Sequence, residues 1–249
     1  MNFTILRFAA IESTNTEALN QAKRGADEGL CVVARQQTAG RGRHGRTWIS
    51  ERDAGLYFSI VLRPKIEMKF LPLITLMTAV AVHDTLENLY KIDCDIKWAN
   101  DIHVGGKKIC GILAETCETS KGLAIVVGIG INLKSSNFPP EIVEIATSIE
   151  AETNDTANAE DLLQNLTHFF ANFYDILQDT DGSEKIRQDW TRRSSYAFEK
   201  SVKVILENEQ IYGKTSGIEE NGALRVELDS GEIRIIHAGD VTQLRQVKK

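Results

Sequence analysis

What this chain has little of narrows the field first. Four cysteines, Cys31, Cys94, Cys110 and Cys117, are spread over 249 residues. None stands as C-x-x-C and no histidine pair completes a zinc pattern, so reduced, mostly buried thiols are expected rather than a disulfide framework or a zinc site. No apolar run reaches membrane-spanning length. The longest, FLPLITLMTAVAV from Phe70 to Val82, carries Pro72, Thr75 and Thr78 and reads as a buried helix. The start, MNFTILRFAAIEST, meets Arg7 and Glu12 before a leader's apolar core can form, so a cytoplasmic protein is expected. Positive charge is short as well: 29 Lys and Arg against 35 Asp and Glu give a formal net charge of −6. General affinity for nucleic acid is therefore not the expectation. No internal repeat, low-complexity tract or G-x-x-x-x-G-K-[ST] phosphate loop occurs. Gly128-Ile129-Gly130 opens like a dinucleotide fingerprint, but Leu133 stands where the third glycine belongs, which argues against a Rossmann site.

Against that acidic background one stretch is dense in cations. Residues 40–48 read GRGRHGRTW, with Arg41, Arg43 and Arg46 alternating with Gly40, Gly42 and Gly45. Glycine lets the backbone approach a ligand, and arginine supplies a planar fork for phosphate or carboxylate. The stretch reads as a loop that folds around an anion; a solvated basic loop, or an arginine-rich segment that folds on RNA, would use the same residues.

Around this loop the chain alternates elements. Strands are expected over 3–11, 30–36, 56–64 and 94–98, and a hairpin over IHV and KKICGILAE about Gly105-Gly106. GLAIVVGIGINL, 122–133, is apolar throughout and so should be central in its sheet. Ser13-Thr14-Asn15 offers N-cap chemistry for the helix TEALNQAKR, and further helices fit 71–90, 159–178 and 183–194. The mixture is α+β, without a regular βαβ rhythm. From 197 to 249 the pattern changes to four or five short strands with polar turns, the size of a small antiparallel SH3-like barrel. Two domains follow: 1–196 and 197–249.

A second polar constellation is KWANDIHVGGKKICGILAE. Asn100-Asp101 alone would be ordinary turn chemistry. Near a polyphosphate, Asp101 could instead recruit Mg²⁺, which takes one or two carboxylates with phosphate oxygens. Lys107 and Lys108 are adjacent on a strand, so one can face a ligand while the other is solvated. An Arg/Gly loop, an acid suited to Mg²⁺ and an inward lysine together suit a nucleoside triphosphate reacting with a second anion.

GRGRHGRTW, KWANDI, KICGILAE and GIGINL, in this order and spacing, resemble the catalytic core of biotin protein ligases, and the likeness extends over essentially the whole chain. Lipoate ligases share the core fold but not this loop. The resemblance implies a mixed-sheet catalytic domain with a C-terminal SH3-like barrel and a two-step reaction. Biotin's carboxylate attacks the α-phosphate of MgATP, releasing pyrophosphate; a lysine of a biotin carboxyl carrier domain then takes the biotinyl group from the adenylate. By matched motif, Ser13, Thr14 and Asn15 resemble contacts to the ureido ring, and Gln37 resembles a glutamine that also touches biotin. Gly40, Arg41 and Arg43 resemble the loop that closes over biotin and adenylate, with Arg41 against the adenylate. Lys108 resembles the lysine beside the biotin carboxylate and α-phosphate, and Arg41 and Lys108 are the expected catalytic pair. Gly111 and Gly128 would floor the biotin pocket. Trp48, Asn100 and Asn132 resemble nucleotide contacts, and Asp101 the Mg²⁺ ligand. His44 stands where many members have Arg and Ala99 where many have Pro, both beside positions assigned to chemistry. A core beginning at residue 1 implies a monofunctional ligase without the winged DNA-binding domain of bifunctional members. Such proteins often pair subunits through the central sheet; the 122–133 strand could lie at that edge, though the sequence does not decide between monomer and homodimer.

Overall fold

A computed structural model describes residues 1–135 and 138–243; the last six residues of the second expected domain, 244–249, lie outside them. Seven strands form the larger sheet: β1 (Thr4–Phe8), β2 (Leu30–Ala34), β3 (Gly55–Leu62), β4 (Asp95–Lys97), β5 (Asp101–Val104), β6 (Lys107–Thr119) and β7 (Gly122–Asn132), in the order β1-β2-β3-β7-β6-β5-β4. Helix α1 (Thr14–Lys23) carries the chain between β1 and β2, the one parallel pair. All other neighbours are antiparallel, so the sheet is mixed and the fold α+β. The β5–β6 turn is Gly105-Gly106, both at positive φ (56° and 84°), where a Cβ would be strained.

Strand β7 is the middle strand of the seven, as its unbroken apolar run requires. That position corrects one expectation. The 122–133 strand cannot be the edge through which subunits pair, because β3 and β6 occupy both its sides; among the described residues the edges are β1 and β4.

Alternation along the strands divides the sheet into two unlike faces. One buries Leu56, Phe58, Ile60 and Leu62 of β3 with Ile125, Val127, Ile129 and Ile131 of β7. Over it lie α2 (Leu73–Tyr90), α4 (Ala159–Leu177) and α5 (Gly182–Arg193), whose Phe170, Tyr174 and Trp190 complete the main core. A short helix, α3 (Ile149–Thr153), precedes α4. The opposite face is covered only in part. Helix α1 packs Ala18 and Ala22 on Val32, Val61, Ala124 and Val126, and the rest of that face carries polar and glycine residues.

The C-terminal segment folds as β8 (Phe198–Ile205), β9 (Gln210–Ile218), β10 (Leu224–Glu227), β11 (Ile233–Ile236) and β12 (Asp240–Gln243), antiparallel in the order β11-β10-β9-β8-β12. The strand count matches the expected small barrel, although among the described residues β11 and β12 remain unpaired ends of an open sheet. The sheet is anchored to the larger one by the buried Trp98, whose indole N–H donates to the Gly222 carbonyl at 2.9 Å. A Cβ on Gly222 would lie 2.8 Å from Leu76 at the start of α2, so glycine permits this approach.

Candidate active site

Two rows of residues on the half-covered face lay out a site. In register across four strands run Lys97, Asp101, Gly111 and Gly130. Two residues further along β6 and β7 the next row holds Leu113, Gly128 and Ser59. Residues opposite one another in a sheet share a face, so three glycines form the bottom of a shallow trough. What fills the missing side-chain space is specific. A Cβ on Gly130 would lie 2.4 Å from Trp48 Nε1, one on Gly111 3.0 Å from both Trp48 and the Lys108 ammonium, and one on Gly128 2.1 Å from Asn15 Oδ1.

Lys108 reaches this face because of an irregularity. It lies an odd number of residues from Gly111, so plain alternation would send it to the back. The pairing passes from Ile102↔Cys110 to His103↔Lys108, an extra residue on β6 that turns Lys108 forward while Ile109 and Cys110 both stay buried. Its ammonium sits 2.6 Å from Asp101 Oδ1 and 5.4 Å from the centre of the Trp48 ring. Lys107, its neighbour, reaches out to the Val143 carbonyl at 3.3 Å, the divergence expected of adjacent strand residues. Burial would raise the Asp101 carboxyl, but the His103 ring, 3.9 Å away, and the charge of Lys108 outweigh it and hold the group down at about 2. Asp101 is thus ionised at any working pH. Burial pulls the Lys97 ammonium below its ordinary value, with Lys108 acting in the same direction and Asp101 against it.

At the other end of the trough a polar network is closed on itself. Ser13 caps α1, its hydroxyl accepting from Thr16 N–H, which turns Thr14 and Asn15 into the sheet. Gln37 Oε1 accepts from the Thr14 backbone at 2.8 Å and its hydroxyl at 3.1 Å, and Gln37 Nε2 donates to Ser50 Oγ at 2.7 Å. The fully buried Ser59 hydroxyl lies between Thr14 Oγ1 (2.8 Å) and Asn15 Oδ1 (2.7 Å). Asn15 Nδ2 donates to Glu115 at 2.9 Å, fixing the amide's orientation.

The Arg/Gly stretch lies over the trough as a folded-back loop. Arg41 bridges Thr47, Trp48 N–H donates to the Gly40 carbonyl at 2.9 Å, and His44 takes a left-handed φ of 53° at the tip. Each arginine has an acceptor: Arg41 on Glu115 at 2.6 Å, Arg43 on Asn100 Oδ1 at 2.7 Å, and Arg46 on Asp240. Trp48 Nε1 is buried against Gly130 with no acceptor among the described residues. The cavity beneath measures about 60 Å³, far below the several hundred that enclose a small-molecule ligand.

The structure therefore brings Ser13, Thr14, Asn15, Gln37, Arg41, Arg43, Trp48, Asn100, Lys108, Gly111 and Gly128 to one cavity. Three expected residues stand behind its wall. Gly40 is buried beneath the Trp48 carbonyl. Asp101 touches the cavity through Lys108, and Asn132 donates to the Thr147 carbonyl at 2.9 Å. Sequence reasoning missed Ser59 and Glu115, and Gly130, which the G-x-G spacing on this strand marked as allowing close packing, was not among the expected site residues. A lone serine inside the apolar run LYFSIVL, and glycines spaced by two on β7, were the available signals.

Residues 8–132 match the family described as Biotin/lipoate A/B protein ligase family, and residues 197–242 match the biotin protein ligase C-terminal domain. This chain belongs to the biotin/lipoate protein ligase family. Among its relatives, the bifunctional ligase/repressor of Bacillus spizizenii is 37% identical over 236 residues, which is 93% of this chain and 71% of that protein. The biotin–[acetyl-CoA-carboxylase] ligase of Paracoccus denitrificans is 33% identical over 244 residues, 94% of this chain and 98% of that one. The solved biotin protein ligase of Aquifex aeolicus, in complex with biotin and ATP, superposes with a TM-score of 0.83 at 29% identity, covering 98% of this chain and 99% of that chain. Family membership makes the chain a ligase.

Proposed function

We infer that this ligase joins biotin to a lysine of a biotin carboxyl carrier domain in two steps, by way of biotinyl-5′-adenylate made from ATP. One observation supports this most directly: a closed donor–acceptor network and a cluster of cations stand at opposite ends of one glycine-floored trough. A small molecule with a polar ring at one end and a carboxylate at the other fits that division. Thr14, Asn15, Gln37 and Ser59 would meet the ureido ring by exchanging hydrogen bonds they now make among themselves. A lipoyl ring offers no such partners, which favours biotin over the related lipoate chemistry.

At the cationic end, Lys108 would neutralise the biotin carboxylate and the α-phosphate as they approach. The first step forms a bond from carboxylate oxygen to the α-phosphorus and breaks the bond to the β-phosphate, so pyrophosphate leaves. Asp101 orients Lys108 through one oxygen; its other oxygen, 3.9 Å from the His103 ring, is the one that would meet Mg²⁺. A single ionised carboxylate beside a phosphate site fits that ion, which would supply neutralisation of phosphate charge. In the second step a carrier lysine amine forms the amide and AMP leaves. Such chemistry depends on positioning and charge stabilisation rather than on a nucleophilic triad. Since the cavity is too small for these substrates, Trp48 and the loop arginines must lift and re-close over them. Arg41 would then exchange Glu115 for the adenylate, and Arg41→Ala should leave a folded enzyme that releases adenylate early and biotinylates bystander lysines.

The test is a mass measurement. Incubated with MgATP, a carrier domain and both biotin and lipoate, the protein should add one biotinyl group to one carrier lysine. Addition of lipoyl instead would move the substrate, and no addition would contradict the reading.

A further inference from the structure

The C-terminal sheet reaches the arginine loop at one point. Arg46 pairs with Asp240, the first residue of β12. The Arg46 backbone belongs to the loop: its carbonyl accepts from Gly42 N–H at 2.7 Å, and its N–H donates to the Arg43 carbonyl at 3.1 Å. Asp240 belongs to a fixed frame. Strand β12 pairs with β8 from Asp240↔Ile205 onward, and Trp98 ties the sheet to the catalytic half. A carboxylate on a rigid strand is thus held out to a cation on a loop.

The pair is only half shielded, with Arg46 66% and Asp240 31% exposed. A solvated pair of this kind contributes little and exchanges readily for another anion. The loop brings the pair to the site: Arg43, whose carbonyl accepts the Arg46 N–H, lines the cavity with Lys108, which pairs with Asp101, and Lys97 is in register with Asp101. Lys97 lies in the electrostatic reach of Asp101, Lys108, Asp240 and Arg46 alike. Three cations therefore share two carboxylates, leaving a net positive place at the cationic end of the trough. Asp101 is shielded and shared by Lys108; Asp240 is the acid that can be dislodged without opening the sheet.

We propose that Asp240 is a resident anion for Arg46, displaced when the terminal phosphates of a nucleotide enter beside Lys97 and Lys108. The C-terminal sheet then sets how tightly the site holds polyphosphate, and Asp240 acts as a positioning residue, keeping Arg46 at the rim until phosphate arrives. This rests on the nucleotide reading above and adds the part of the nucleotide that is read. Its sign follows from charge: neutralising Asp240 removes a fixed negative group and frees Arg46, so polyphosphate should bind tighter while nucleotide lacking it is unaffected.

The experiment is calorimetric titration of the full chain with inorganic pyrophosphate and with AMP, in the presence of Mg²⁺. Asp240→Asn should bind pyrophosphate roughly two- to five-fold tighter than wild type, the range an exposed ion pair commands, with AMP unchanged. Asp240→Glu, which keeps the charge, should stay at the wild-type affinity, and Arg46→Ala should weaken pyrophosphate. Unchanged or weaker pyrophosphate binding in Asp240→Asn overturns the proposal, as does equal tightening in both Asp240 variants, which would point to strand disturbance rather than charge. Biotin-dependent pyrophosphate release by the wild type, run in parallel, separates the two readings. Its absence would remove the ligase chemistry while leaving an Asp240 effect on pyrophosphate standing.

Discussion

The two faces of the seven-stranded sheet use the same strands to opposite ends. Behind β3 and β7, Phe58, Ile60, Ile129 and Ile131 share one core with Phe170 and Tyr174, whose hydroxyl donates to Glu28. In front, the intervening residues are Ser59, Gly128 and Gly130, beneath a loop whose arginines hang on single acceptors. A period of two lets one strand serve both, because side chains that hold the fold and side chains that make room for a ligand never compete for a face. The division predicts that stability and activity can be damaged separately.

The largest effect should come from the back. Phe170→Ala removes a fully buried ring from α4 and should cost about 3–5 kcal/mol of stability, read as a lowered denaturant midpoint. Below its new transition, KM for biotin should be unchanged; a large KM shift would mean that the faces are coupled. Next comes Lys108→Ala, which should slow adenylate formation about 10²–10³-fold, the scale for losing one preorganised charge-stabilising donor. The unfolding midpoint should scarcely move, since Lys108 is partly exposed. Full-rate adenylate formation would remove its assigned role.

Gly128→Ala is a smaller change that sharpens the comparison. The new methyl would sit 2.1 Å from Asn15 Oδ1, so Asn15 must swing away from Ser59. Overpacking of this kind costs about 1–3 kcal/mol, and here it should be seen mainly as a raised KM for biotin with kcat nearly kept. An unaltered KM would show that Asn15 does not meet the substrate. Smallest is Glu115→Gln, which keeps an acceptor for Asn15 but removes the negative charge that faces Arg41; about 1 kcal/mol or less is at stake for so exposed a pair. Slower loss of adenylate, at unchanged biotin affinity, is the expected signature, because Arg41 no longer has to leave an anion to reach it; faster loss would contradict that exchange.

Much of this division was written in the sequence. The unbroken apolar run of 122–133 identified the middle strand, and Gly105-Gly106 the turn. The motifs pointed to the residues that share the cavity, because chemistry at a glycine-lined face restricts residue type at short range. Three things were not legible. The facing of Lys108 depends on one extra residue in the β5–β6 pairing, a matter of register that local pattern does not fix. The role of Glu115 as acceptor for Arg41 joins positions 74 apart and exists only once the loop folds back. Asp240 meets Arg46 across 194 residues, through the docking of one sheet on another. No local propensity encodes that contact.

The most direct test of the account is pyrophosphate release from purified protein with MgATP, in parallel samples containing biotin, lipoate or neither. Release that requires biotin, and that lipoate does not support, is the predicted result. Equal release in all three samples, or none in any, would contradict the assignment of this face to acyl-adenylate chemistry.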